Sequence, residues 1–404
     1  MFLWWREADA RAHRAFVAAS LGWMLDSFDV MIYAMVLASL IEDPVLHLSL
    51  STAGILNSVT LLAAAVGGVC FGVFADRAGR KPALMGAVLI YSIFTAACGF
   101  AQSAVQLAAF RILLGFGMGG EWASGAALVS DSFPEKHRGK ALAFVQSSWA
   151  IGYGAAAIAN LIILPRWGWR GMFFAGVLPA LLTIWIRRSV EEPRSWQAAS
   201  RSERGQFTAI FRGGIARTTV FVTLMNACTL FGWWGLNGWV PAYLRLSPAQ
   251  GGVGLSSSTM SLFVVIMQVG MWFGYVSFGF IADAIGRKRA YVIFLLATSV
   301  LLPLYGFIRE PVWLLVLGPV LAFFGTGYYS GFGALTADIY PSAIRATAQG
   351  FTYNMGRLAS AAAPYVVGSL AATQGFAAAF SVAGAAFLLA ALAWIGISSP
   401  IRPL

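Results

Sequence analysis

Stretches of roughly 20 apolar residues follow one another from about residue 15 to residue 398 of this 404-residue chain, and each is long enough to cross the hydrocarbon core of a bilayer as a helix. Inside hydrocarbon the backbone must satisfy its own hydrogen bonds, which leaves only helices and closed barrels. These runs are too long for barrel strands and lack the alternation such strands need. Composition agrees: 59% of the residues are hydrophobic and 11% are charged, about half the charged share of a soluble domain. The pattern predicts an all-α membrane protein with twelve transmembrane helices, near 15–41, 52–75, 82–102, 105–130, 140–163, 168–187, 216–243, 256–282, 289–308, 311–337, 346–371 and 375–398.

The first run follows Arg6, Arg11 and Arg14 and continues to about Ile41. That is too long for the apolar core of a signal peptide, so it is expected to stay as the first helix. Cys70, Cys98 and Cys228 fall within predicted spans, and their odd number implies no disulfide framework. His13, His47 and His137 lie in predicted loops or tails, so neither a metal site nor another cofactor is expected. The net charge of +11 could suggest nucleic acid, but its placement argues for topology instead. Of 27 Lys and Arg residues, 21 fall on one side of the predicted helices, while Arg166, Arg170, Arg245 and Arg309 fall on the other. The positive-inside rule makes the richer side cytoplasmic. We therefore expect a multi-pass protein of the cell inner membrane with both termini in the cytoplasm, a lipid bilayer as its main partner, no nucleic acid and no required oligomer.

An internal repeat divides the chain. Phe74-Ala-Asp76-Arg-Ala-Gly79-Arg80-Lys81 recurs as Phe280-Ile-Ala-Asp283-Ala-Ile-Gly286-Arg287-Lys288, with Asp76 and Asp283 separated by 207 positions. The same shift carries Asp131 to Asp338, Pro134 to Pro341, Arg138 to Arg345 and Phe144 to Phe351. Two pseudo-symmetric six-helix halves follow, 1–187 and 216–404, joined by a polar linker at 188–215. Repeats related by an axis along the membrane normal place a binding site at the midplane and alternate access by rocking.

Gly72-x-x-x-Asp76-Arg77-x-Gly79-Arg80-Lys81 lies where helix 2 turns into helix 3, and with its second copy it resembles the loop motif of the major facilitator superfamily. A carboxylate at the carbonyl end of one helix seeks the positive N-terminus of another. The resemblance implies that Asp76 and Arg80 meet helix 11 near Arg345, and that Asp283 and Arg287 meet helix 5 near Arg138. Such contacts would latch the halves in one access state and break in the other. Helix 4 reads Arg111-x-x-x-Gly115-x-Gly117-x-Gly119-Gly120-Glu121, and it resembles the helix 4 pattern of sugar and organic-acid porters. Its glycines read as close helix packing in lipid.

Ionisable residues inside the spans are Asp26 and Asp29 in helix 1, Arg111 and Glu121 in helix 4, and Arg357 in helix 11. Each costs roughly 2.5–3.5 kcal/mol or more at the bilayer centre, so each is expected to be functional or paired. At 1.5 Å per residue from the outer helix ends, Asp29, Asp26 and Glu121 lie about 18, 22 and 24 Å deep, and Arg357 is about 17 Å from the inner end of helix 11. Carboxylates at similar depth repel unless one holds a proton. Asp29 is expected to be the leading proton site with Arg111 its partner, and Asp26 and Glu121 in reserve. Arg357 suits a substrate carboxylate in two-point contact, aided by Asn354. Trp233, Trp234, Tyr328, Tyr329 and Tyr353 are candidate cavity walls, whereas Trp4, Trp5, Trp167, Trp169 and Trp239 read as interfacial anchors.

Gly22-Trp-Met-Leu-Asp26-Ser-Phe-Asp29 and Tyr353-Asn354-Met-Gly356-Arg357 resemble helices 1 and 11 of the metabolite–proton symporters, the branch with sialic acid, aromatic acid and monocarboxylate carriers. The resemblance implies symport of a small organic anion, a monocarboxylate such as lactate, with at least one proton. An anion entering a negative interior is opposed by about 2.3 kcal/mol per 100 mV, and a proton cancels that charge. The alternatives are a sugar or drug carrier, or a membrane sensor of the same fold. No nucleophile–base pair marks the chain as an enzyme.

Overall fold

The computed structural model describes residues 3–46, 48–189, 210–211, 213–340 and 342–397. After a short turn of helix at Leu3–Arg6, the first half holds α1 (Ala10–Ile41), α2 (Leu50–Ala78), α3 (Arg80–Cys98), α4 (Ala104–Ser132), α5 (Glu135–Ala175) and α6 (Ala180–Ser189). The second half holds α7 (Gly213–Asn237, continued by Val240–Arg245), α8 (Ser257–Ile285) and α9 (Arg287–Phe307). It ends with α10 (Pro311–Gly327, continued by Phe332–Ile339), α11 (Ser342–Ser360, continued by Ala363–Gln374) and α12 (Phe376–Ala393).

Local chemistry sets the ends of these helices. Asp9, Ser49, Ser103 and Ser256 accept backbone N–H bonds at the starts of α1, α2, α4 and α8, satisfying donors that a helix leaves free. The repeat carries its geometry as well as its letters. Gly79 and Gly286 have φ of 114° and 90° and turn α2 into α3 and α8 into α9, a conformation that side chains resist. Within the long α5, Pro165 and the non-helical Gly168 (φ 64°) mark the passage from the fifth crossing into the sixth, as hydropathy anticipates.

Nine helices among the described residues are long and apolar enough to cross a membrane. The sixth crossing is interrupted by the turn between Ala175 and Ala180, and the eleventh is broken between Ser360 and Ala363. Large apolar side chains such as Val66, Phe273 and Val300 are exposed on the outside of the bundle, where lipid covers them.

The halves meet along two seams, α2 against α11 and α5 against α8. Their outer ends are bonded together. Ser51 Oγ lies 3.2 Å from Ser369 Oγ, the Tyr365 N–H donates to Ser58 Oγ at 3.2 Å, and Asn160 Nδ2 donates to Ser261 Oγ at 3.0 Å. Arg245 reaches Glu42 at 3.4 Å across the same face. The side of the bundle away from the chain's ends is therefore sealed. Most of the expected linker, 190–209 with Arg212, lies outside the described residues.

Candidate functional site

Gly22, Asp26, Asp29 and Tyr33 follow one another at helical spacing and share one face of α1. That face packs against α4. Any Cβ at Gly22 would collide with Glu121 Oε1, so the glycine is what lets the carboxyl reach α1, one turn inward of Asp26. At the outer end of the same ladder the Arg111 guanidinium stacks 3.7 Å over the Tyr33 ring. Asp26, Asp29 and Glu121 are at most 1% exposed, and none of their carboxyl oxygens has a hydrogen-bond partner among the described residues. A buried carboxylate without a donor is far costlier than the uncharged acid.

Arg111 corrects one expectation. Its Nε donates to the Leu56 carbonyl at 3.2 Å and its Nη2 to Asn57 Oδ1 at 3.0 Å, both on α2. With Tyr33 beneath it, the guanidinium is held one turn outward of Asp29 and is not its partner. Asp29 instead lies beside Thr95 of α3 and within electrostatic reach of Asp26.

Arg357 is 4% exposed, lies within electrostatic range of Asp26 and Glu121, and makes no hydrogen bond or ion pair to either. It lines a void of about 30 Å³ between the halves, with Trp23 and Trp149 on one side and Trp233, Tyr329 and Tyr353 on the other. That is small beside the roughly 300–1,000 Å³ of a small-molecule site. The rings touch in series: centroids are 4.7 Å apart for Trp23 and Trp149, 5.5 Å for Trp149 and Trp233, and 6.4 Å for Trp233 and Tyr329. Trp149 and Trp233 each bury an Nε1 that finds no acceptor among the described residues. The site thus combines a cation, unclaimed N–H donors and flat apolar walls.

A model of the Major Facilitator Superfamily matches residues 19–277 and 222–403. The chain belongs to that superfamily. It is 31% identical over 384 residues to the cis,cis-muconate transport protein of Acinetobacter baylyi, covering 93% of this chain and 91% of that one. It is 30% identical over 402 residues to a sialic acid transporter of Escherichia coli strain K12, covering 98% and 96%. A crystal structure of a D-xylose–proton symporter superposes with a TM-score of 0.77 at 22% identity, over 96% of this chain and 98% of that chain, and shows the shared fold. The chain is accordingly a multi-pass membrane transporter of small metabolites, of the metabolite-symporter branch that helices 1 and 11 resemble.

Within this facilitator, Arg357, Tyr353, Tyr329 and Trp233 line one void together. Asn354 does not join them. One residue along a helix is a 100° rotation, and Asn354 turns toward Gly68 of α2 while its Nδ2 donates to the Gly350 carbonyl at 3.0 Å. Tyr328 stacks behind Tyr329, 4.6 Å between centroids, rather than lining the void. Trp169 and Trp239 are buried against neighbouring elements: their indole N–H groups donate to Asp43 at 2.8 Å and to the Pro364 carbonyl at 3.1 Å. Trp23, Trp149, Gln146 and Tyr275 line the cavity without having been singled out in the sequence. Their only signal is a polar or amphipathic side chain deep in an apolar run. Among the latch residues, Asp283 is exposed and Arg287 half-buried, whereas the side chains of Asp76, Arg80, Arg138 and Arg345 lie outside the described residues.

Proposed function

We propose that this transporter carries a small, flat organic carboxylate inward across the cell inner membrane together with at least one proton, by alternating access and with both termini in the cytoplasm. The observation that carries the reading is Arg357, a buried guanidinium that makes no ion pair with an acid among the described residues, set among aromatic rings between the two halves. A substrate carboxylate would supply the missing anion in two-point contact, and the indole N–H groups of Trp149 and Trp233 could bind further oxygens. Rings set tilted and edge to face around the void favour a planar, unsaturated acid over lactate, because an aromatic face adds about 0.5–1.5 kcal/mol beyond area burial when it meets another π-system. The two relatives named above are transporters of carboxylic acids, which supports an anion. A neutral sugar would leave the guanidinium uncompensated.

Proton coupling is supported by Asp26, Asp29 and Glu121, buried acids whose oxygens find no hydrogen-bond partner among the described residues. Arrival of an anion at Arg357 removes a positive charge from the neighbourhood of Asp26 and Glu121 and makes holding a proton there easier still. Release of substrate reverses this. Coupling then needs no direct contact between proton and substrate. We assign the inner latch to Asp76 and Arg80 with Arg345, and to Asp283 and Arg287 with Arg138. The test is uptake of labelled benzoate, muconate, lactate and xylose into proteoliposomes with an imposed pH gradient, acid outside. Accumulation of benzoate or muconate that a protonophore collapses is expected, while xylose uptake alone would overturn the proposal.

A further inference from the structure

A second cavity, of about 930 Å³, shares no lining residue with the aromatic site and lies where the basic ends of α8 and α9 meet the ends of α10 and α12. Its volume falls in the range of small-molecule sites, roughly 300–1,000 Å³. The two ends of its wall differ in chemistry. Arg287, Lys288 and Arg289 stand at one end with Asp283 as the only acid. Elsewhere the wall is apolar, and two of its side chains, Ile285 and Ile293, are exposed at 38% and 48%, as residues are that face hydrocarbon. Trp394 also lines it, 96% buried by its 4% exposure, with an indole Nε1 that has no acceptor among the described residues.

From this juxtaposition of cations, an unclaimed indole donor and an open apolar flank we infer that the cavity binds one acidic phospholipid, its phosphate at Lys288 and Arg289 and its acyl chains along Ile285 and Ile293. Arg287 already interacts with Tyr291, so the two exposed cations carry the recognition. Asp283 lowers the net charge of the lining but leaves it positive, which selects an acidic headgroup over a zwitterionic one. Basic recesses between helices on the cytoplasmic side suit such lipids. The assignment rests on this end of the bundle being the basic, cytoplasmic one, but not on what the protein transports.

The test uses delipidated full-length protein in neutral detergent, without substrate. Melting temperature and native mass spectra are recorded with added phosphatidylglycerol, phosphatidylcholine or inorganic phosphate. Phosphatidylglycerol should raise the melting temperature and remain bound as a single adduct, and phosphatidylcholine and phosphate should do neither. In Lys288→Gln/Arg289→Gln the phosphatidylglycerol affinity should fall at least about tenfold, with the melting temperature in phosphatidylcholine unchanged. Because a structural defect would lower that baseline, Ile293→Gln provides a second variant that keeps the cations and should weaken lipid retention alone. Equal stabilisation by free phosphate, or an undiminished adduct in the double variant, would overturn the assignment. Neither outcome bears on carboxylate transport.

Discussion

Single side chains divide here into groups the fold satisfies and groups it leaves open. Arg111 has two hydrogen bonds and a ring beneath it, and it reads as a fixed strut between α2 and α4. Replacing it by Ala strands Asn57 and Tyr33 and should lower the melting temperature. Asp26, Asp29 and Glu121 are the open groups among the described residues. Asp29→Asn, Asp26→Asn and Glu121→Gln leave no hydrogen bond broken, so each should fold normally. At least one of them should lose uphill uptake while keeping exchange, as counterflow in proteoliposomes would reveal. Normal accumulation by all three would remove the carboxyls from the mechanism. Asp43, at the outer surface, differs again. Burial would raise its pKa, but hydrogen bonds from Trp169 and from the Leu46 and Val45 N–H groups, with Arg170 nearby, hold it below the usual carboxylate value. Its contribution is therefore complete above the ordinary Asp range and lost as pH falls through the depressed value. Asp43→Asn should lower the melting temperature at pH 7 by an amount that shrinks under acid.

At the scale of helices, glycines and breaks decide what side chains can reach. A Cβ at Gly119 would meet the backbone of Ala64, which cannot move aside, so Gly119→Ala should cost about 1–3 kcal/mol by overpacking. At Gly22 the obstacle is the end of the Glu121 side chain. Gly22→Ala should therefore spare the melting temperature and shift the pH dependence of uptake instead, a contrast that paired thermal and transport assays would check. The helices themselves were legible in the sequence because apolar length, caps and the repeat all pointed the same way. Arg357 and its aromatic neighbours on α7, α10 and α11 were legible because a cation at the midplane has few bland explanations. Trp23, Trp149 and Tyr275 were not, since an aromatic residue inside an apolar span looks the same whether it meets lipid, a neighbour or a cavity. Arg111 misled for a related reason: depth along a helix gives its level but not its azimuth, and Asn57, its actual partner, carries no charge to announce it.

Across the whole molecule, the outer seal and the cramped aromatic void belong together. A benzoate-sized substrate needs more room than the about 30 Å³ present, so binding requires rings or halves to move apart, and the free energy of binding is what biases that motion. The Glu42–Arg245 pair spans the outer faces at 3.4 Å with both side chains about a third exposed, where ion pairs contribute about 0–1 kcal/mol. Glu42→Gln should consequently shift the outward-open population by less than about fivefold, with the shift fading at high salt, as spin-label distances across the outer face would report. The orientation can be checked separately: a cysteine at Arg204 should resist impermeant reagents in intact cells and one at Arg309 should react. The account as a whole turns on the claim that Arg357 receives the substrate's carboxylate. Isothermal titration of benzoate or muconate into purified protein addresses this without transport. The parent should bind, Arg357→Lys more weakly, and Arg357→Ala about 10- to 150-fold more weakly, the worth of a charge-assisted hydrogen bond at roughly 1.5–3 kcal/mol. Binding of either acid to Arg357→Ala as tight as to the parent would contradict it.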